Sequence, residues 1–177
     1  MNQKIKEDKI IIIDFGSQVT KLIARRIREF KVFSEIVTLK DLKKKNIFNN
    51  AKGIILSGGP STVTKKKFPK INEDIFNLNI PILGICYGLQ VIAKYFKGSV
   101  KANIKKREFG RATLLKTQSS LLTKSFFHKK KSKVWMSHQD SVYKLPKGFV
   151  KIASTKESAM TIIENKVKHI YGVQFHP

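Results

Sequence analysis

A single cysteine, Cys86, is all the thiol this chain of 177 residues contains. One thiol cannot form an internal disulfide, so nothing in the sequence points to an oxidising compartment. Long apolar runs are missing from the N-terminal segment, where "MNQKIKEDKIIIID" offers four consecutive isoleucines before Asp14. That is too short for a secretory core or a membrane span, so the expectation is a cytoplasmic protein without a membrane partner. Acidic residues are scarce as well. Twelve of them face 36 basic residues, giving a net charge of +24.

A surplus of that size raises nucleic-acid binding as a function. Arginine, however, is nearly absent from it: only five of the basic residues are Arg. Bidentate recognition of phosphates and base edges favours arginine. The triplets Lys43–Lys45, Lys65–Lys67, Lys105–Arg107 and Lys129–Lys131 are scattered between elements, with no zinc-finger spacing and no aromatic-basic stripe. The charge therefore reads as a lysine-rich solvated surface, and no nucleic-acid partner is expected.

What is present is an ordinary globular balance, 41% hydrophobic and 27% charged, in a length that suits one domain. The first half alternates strand and helix. "KIIIID" has the continuous β-branched character of a strand buried on both faces. After the turn "FGSQ", in which Ser17 is a candidate cap, Val19, Leu22, Ile23, Ile27 and Phe30 recur at helical spacing. "KVFSEIV", "GIILSGGP" and "IPILGIC" read as further strands, with short helices expected in "DLKKKNIFNN" and "PKINEDIFNLN". Leu89, Ile92, Ala93 and Phe96 give the segment after Cys86 one apolar face, and Gly98 is a plausible stop. Such alternation predicts an α/β fold with a mostly parallel sheet and helices on both faces. In the second half "FGRATLLK", "KVWMSH", "FVKIAST", "SAMTIIE" and "KHIYGVQF" are short β-like runs, with "ENKV" able to close a hairpin. Some should extend the main sheet and others form a small accessory β layer.

Reactive groups in such sheets gather at the carboxyl ends of strands. Gly84-Ile85-Cys86-Tyr87-Gly88 has the G-x-nucleophile-x-G spacing of a nucleophile elbow, in which glycines permit a strained strand-to-helix turn. A thiol there sits at a helix N-terminus whose amides and dipole favour the thiolate, so an accessible thiol of low pKa is expected. The amide of Tyr87 points where an oxyanion would form, and Gly58 and Gly59 in "SGGP" offer a second donor. Among the histidines, His128 lies in a lysine-rich loop and His169 starts a strand. His176 ends the "YGVQF" run, where a base can face the thiol.

"LSGGP", "GICYGLQ" and "YGVQFHP", in that order, resemble the three motifs of the class I glutamine amidotransferases. "IIDFGSQVTKLIARRIRE", "EFGRA" and "VWMSHQDSV" resemble more closely the amidotransferase domains of bacterial GMP synthases. The resemblance covers nearly the whole chain and implies one flavodoxin-like class I amidotransferase domain over residues 1–177. It implies Cys86 as nucleophile, His176 as general base and then acid, and the amides of Gly59 and Tyr87 as oxyanion hole. Gly58, Gln90, Ser137, His138, Gln139 and Asp140 would line the L-glutamine site, with Gln139 standing where the family more usually has glycine. The family's third catalytic residue, a glutamate, would follow Pro177, so the chain reads as C-terminally incomplete. No cofactor or metal is implied for the domain itself. ATP, Mg²⁺ and XMP would belong to an ATP-pyrophosphatase (synthetase) domain downstream, and a homodimer would form through regions beyond this chain. The implied reaction is hydrolysis of glutamine through a thioester, with ammonia delivered to the amination of XMP to GMP. The rival readings are an amidotransferase or γ-glutamyl hydrolase with another acceptor, and a non-catalytic basic binding module.

The charge reading has a direct test. Binding to duplex DNA should be weak and independent of sequence, and should fall by about a thousandfold between roughly 50 and 200 mM salt. Sequence-selective binding that survives physiological salt, measured by fluorescence anisotropy, would favour the binding module.

Overall fold

The computed structural model describes residues 7–65, 68–69, 71–102 and 107–177, so the start of the chain and Lys66, Lys67, Lys105 and Lys106 of the basic triplets lie outside the described residues. In chain order the elements are β1 (Lys9–Asp14), α1 (Thr20–Glu29), β2 (Phe33–Thr38), β3 (Ala51–Leu56), β4 (Ile82–Ile85), α2 (Tyr87–Tyr95), β5 (Ser99–Ala102), β6 (Glu108–Lys116), β7 (Lys131–His138), β8 (Asp140–Lys144), β9 (Val150–Ser154), β10 (Ile162–Asn165) and β11 (Ile170–Val173). Among the described residues nine strands form one sheet in the order β2-β1-β3-β4-β11-β10-β9-β6-β7. From β2 to β11 every pairing is parallel, and from β11 to β7 every pairing is antiparallel. The strand order of the parallel half reverses at β1, which puts the loops after β1 and β3 at a topological switch point, where α/β sheets bind ligands.

Alternation along the buried strands feeds two cores. Ile11, Ile13, Ile54, Leu56 and Ile82 pack with Leu89, Val91, Ile92 and Ala93 of α2. On the opposite face Ile55 joins Ile23 of α1 and the core formed by Ile85, Leu114, Met136, Ile152 and Val173. The helices therefore cover both faces, as expected. The expected accessory layer is the antiparallel pair β5–β8, in which Val100 faces Val142 and both pack into the α2 core. "ENKV" closes the β10–β11 hairpin, with Asn165 opposite Ile170. Among the described residues, no helix is long and apolar enough to cross a membrane.

Three local expectations need correction. Among the described residues of "DLKKKNIFNN" and "PKINEDIFNLN", the latter without Lys70, the helical structure is a single 3-10 turn each, Asp41–Lys43 and Glu73–Asn77. Asn46, Asn50 and Asn79 adopt positive φ and break any longer helix. In α1 the inward stripe is Thr20, Ile23, Ala24 and Ile27, while Leu22 and Phe30 are exposed. The Thr20 hydroxyl donates to Asp14 Oδ1 at 2.7 Å, which turns Thr20 inward and rotates the helix accordingly. Ser17 is not the boundary residue of α1, which is Val19; its hydroxyl accepts the Val19 amide in the turn just before the helix, while Asp14 Oδ1 accepts the amides of Gly16 and Ser17. Helix α2 stops where expected, but the left-handed residue is Lys97. The amides of Lys97 and Gly98 return to the carbonyls of Lys94 and Ala93 in a Schellman arrangement.

Helix α2 starts unusually close to the sheet. A Cβ on Gly88 would lie 2.2 Å from the Leu56 carbonyl oxygen and 2.7 Å from Leu56 Cβ. A Cβ on Gly84 would lie 2.6 Å from the Gly88 backbone. Backbone on both sides cannot yield as a flexible side chain would. Gly88→Ala should therefore cost at least about 2 kcal/mol, read as a lowered midpoint in urea unfolding.

Candidate active site

Cys86 is placed by the close approach just described. It follows β4 directly and precedes the first turn of α2, with φ 51° and ψ −101°, a backbone that a non-glycine residue rarely adopts. Its amide is fixed by the Val173 carbonyl at 2.8 Å, and its carbonyl accepts from the Gln90 amide. The residue is 7% exposed. Its thiol points to the Ser137 carbonyl at 3.8 Å, while Gln174 Nε2 donates to the sulfur from 3.6 Å.

Ser57 joins the neighbouring strand ends to this turn. Its hydroxyl accepts the Phe15 amide and donates to the Gly58 carbonyl. Its backbone amide donates to Ile13 and its carbonyl accepts from Gly88. The loop after β1 and the loop after β3 are thus held against the start of α2. The fit leaves no room for a side chain on Gly59 and little on Gly58. A Cβ on Gly59 would meet the Phe15 carbonyl at 2.9 Å, and one on Gly58 would come within 3.2 Å of His176 Cε1.

Eight of the residues singled out in the sequence border one cavity of about 430 Å³: Gly59, Cys86, Tyr87, Gln90, Ser137, His138, Gln139 and Asp140. That volume lies in the usual range for small-molecule sites, roughly 300–1,000 Å³. Gly58 and His176 lie beside the cavity rather than in its lining. His176 borders the neighbouring hollow, with Trp135 and Phe175, and its amide donates to the Trp135 carbonyl. His128 and His169 border neither the cavity nor that hollow.

Sequence reasoning misses several participants. Lys65 and Thr62 come to the cavity from the loop after β3. By its pattern Lys65 is only part of a surface lysine triplet, yet in the fold this cation and the Asp140 carboxylate face the same space. Thr62 donates to Asp140 Oδ2. Gln174 and Glu108 stand inside "YGVQFHP" and "EFGRA", but nothing in those motifs assigns either of them a role. Among the described residues, no three His, Cys, Asp or Glu side chains are grouped to hold a metal ion.

The electrostatics correct one expectation. Burial pushes the Cys86 thiol up, to about 11, and outweighs the hydrogen bonds from the Tyr87 amide and Gln174; the Asp140 carboxylate adds to the rise. Cys86 is therefore not acidic, and it is largely buried although it borders the cavity. His176 is held below its ordinary value by burial first and then by charge on His138, so its ring is neutral at pH 7 and free to accept a proton. Its Nδ1 is buried and has no hydrogen-bond partner among the described residues.

Residues 11–177 match the family model for glutamine amidotransferase class-I. The chain is 49% identical over 179 residues to the glutamine-hydrolyzing GMP synthase of Prochlorococcus marinus strain AS9601, and 48% identical over 172 residues to that of Helicobacter pylori strain HPAG1. These alignments cover 99% and 95% of this chain, but 33% and 32% of those proteins. The chain thus spans about a third of the length of the curated relatives it matches. Among solved structures, a Thermoplasma acidophilum protein described as a GMP synthase subunit superposes with a TM-score of 0.81 at 31% identity, over 97% of this chain and 84% of that one. A glutamine amidotransferase from Thermotoga maritima, at 20% identity, shares the fold with a TM-score of 0.72, over 96% of this chain and 76% of that one.

The raised thiol value fixes how Cys86 should react in the absence of other ligands. Because the thiolate is the reactive form, alkylation by iodoacetamide should be slow at neutral pH and rise about tenfold per pH unit through at least pH 10. A rate already on its plateau near pH 7, followed by mass spectrometry, would contradict the buried neutral thiol.

Proposed function

The chain belongs to the class-I glutamine amidotransferase family, and we propose that it hydrolyses L-glutamine through a thioester on Cys86, passing the ammonia to the conversion of XMP to GMP. The observation that carries this reading is the cavity itself. At its base one cysteine sits in a strained strand-to-helix turn, and its walls present one cation, Lys65, and one anion, Asp140. An amino-acid zwitterion with an amide side chain suits that arrangement. Its α-carboxylate and α-ammonium would meet the charged wall formed with Gln90 and Ser137–Asp140, and its carboxamide would reach the sulfur.

In this scheme Cys86 Sγ attacks the carboxamide carbon and the thiol proton passes to His176. The low affinity of that buried imidazole for protons keeps it available at neutral pH. The oxygen would gain charge beside the amides of Gly59 and Tyr87. His176 returns the proton to the leaving nitrogen, ammonia departs, and water attacks the thioester to release glutamate. Substrate binding must first lower the cost of thiolate formation, because the thiol alone is a poor acid here. The resemblance places a glutamate immediately after the His176–Pro177 pair, and the open Nδ1 of His176 is the atom its carboxylate would orient.

The acceptor side of the reaction follows from the resemblance to the GMP synthases. ATP, Mg²⁺ and XMP would be handled by a synthetase domain, on this chain or as a partner, and the amidotransferase domain would need no cofactor. Cytoplasmic location and homodimerisation through other regions complete the proposal.

Ammonia release from glutamine tests it. Cys86→Ala should reduce the rate at least about a thousandfold, because no other group can form the thioester. With the synthetase domain joined, glutamine-dependent GMP formation should vanish while formation from added ammonia persists. Equal loss of both activities would argue against Cys86 as the nucleophile.

A further inference from the structure

"EFGRA" is distinctive in the sequence, yet the proposed chemistry assigns nothing to its glutamate. Glu108 begins β6 directly opposite His138 at the end of β7, and both are buried, at 7% and 5% exposure. His138 Nε2 lies 3.1 Å from Glu108 Oε2, and His138 Nδ1 lies 3.1 Å from the Asp140 carbonyl oxygen. A carbonyl can only accept. Burial alone would raise Glu108, but hydrogen bonds from His138 and Thr155 and the charge of His138 outweigh it, leaving the carboxyl below its ordinary value and ionised. Both nitrogens of the ring are therefore engaged within the protein, one by the Glu108 carboxylate and the other by the Asp140 carbonyl. It has no nitrogen left for a substrate, although it borders the cavity.

The Asp140 carbonyl is the point on which several elements converge. Gln90 Nε2, from α2, donates to it at 3.1 Å beside the His138 bond. Thr62, from the loop after β3, holds the Asp140 carboxylate. Asp140 also pairs with Ala102 of β5. A rotation of the His138 ring would release one of the two bonds to this carbonyl. The contact of Nε2 with Glu108 opposes that rotation.

We propose that Glu108 and His138 are a positioning pair, in which Glu108 locks the imidazole so that its Nδ1 fixes the Asp140 peptide and thereby aims the carboxylate that receives the substrate's amino group. This deepens the glutamine reading above and rests on it. It also moves His138 from direct ligand to support, with Asp140 as the group in contact. Because the pair acts on the α-amino end, its loss weakens binding and leaves the chemistry at Cys86 in place.

The test uses the full chain and two readouts: steady-state glutamine hydrolysis, and protection of Cys86 from iodoacetamide by glutamine. Glu108→Leu should raise KM and the half-protecting glutamine concentration about tenfold, with kcat within about threefold of the unsubstituted chain. Glu108→Gln, which keeps an oxygen for the His138 proton but loses the charge, should raise both about threefold. If Glu108→Leu shows no cooperative urea transition, Glu108→Gln decides. Unchanged KM and protection in the folded variant would overturn the inference, as would a fall in kcat at constant KM. Absence of both hydrolysis and protection in the unsubstituted chain would overturn the glutamine reading, and this inference with it.

Discussion

Everything in the site depends on how closely α2 approaches β3. With no side chain at position 88, the Gly88 backbone rests on Leu56 and its amide reaches the Ser57 carbonyl at 3.1 Å. That contact leaves the chain one residue in which to turn from strand to helix, and Cys86 absorbs the strain with a positive φ. Gly84 is forced by the same geometry, since Gly88 and Ile92 occupy the space a side chain would need. The two glycines of the motif are thus consequences of one packing distance. Ser57 then transmits it, joining the loops after β1 and β3 to the turn through backbone and hydroxyl alike.

The same burial sets the electrostatic terms. Moving the thiol from about 9 to about 11 is a difference on the order of 3 kcal/mol against the thiolate. A helix N-terminus returns about 2 kcal/mol at most in a partly buried site. Desolvation wins, and the resting site holds a neutral thiol. In the proposed hydrolysis reactivity would therefore be conditional: the proton would move once a carboxamide is present to take up the sulfur's electrons.

The sheet supplies the two sides of the site from its two halves. The parallel strands β1, β3 and β4 deliver the loop glycines and Cys86. The antiparallel strands β6 and β7 deliver Glu108 and the segment that leads to Asp140. Strand β11 is the seam, parallel to β4 and antiparallel to β10, and the residues just past its end, Gln174 and His176, face the junction. A site assembled across such a seam needs groups that hold the halves in register. The bond from Gln90 to the Asp140 carbonyl and that from Thr62 to the Asp140 carboxylate cross it directly.

The parallel core and the strand-to-helix elbow at Cys86 are legible in the amino-acid order, because they depend on local rules. β-Branched runs make buried strands, G-x-C-x-G makes a strained turn, and motif order fixes which strand ends meet. Helical spacing in α1 is visible too, but not its rotation, since the hydroxyl of Thr20 finds Asp14 across the loop and turns Leu22 and Phe30 outward. The roles of Lys65, Gln174 and Glu108, and the protonation of Cys86, emerge only once the chain is folded. A lysine in a triplet is a surface charge until a loop folds it over a cavity. A histidine is a ligand candidate until both its nitrogens are seen to be engaged. A thiol at a helix start is acidic by the local rule, and a weak acid once the surrounding core removes its water. Desolvation and partner choice are set by groups distant in the chain, so no local pattern encodes them.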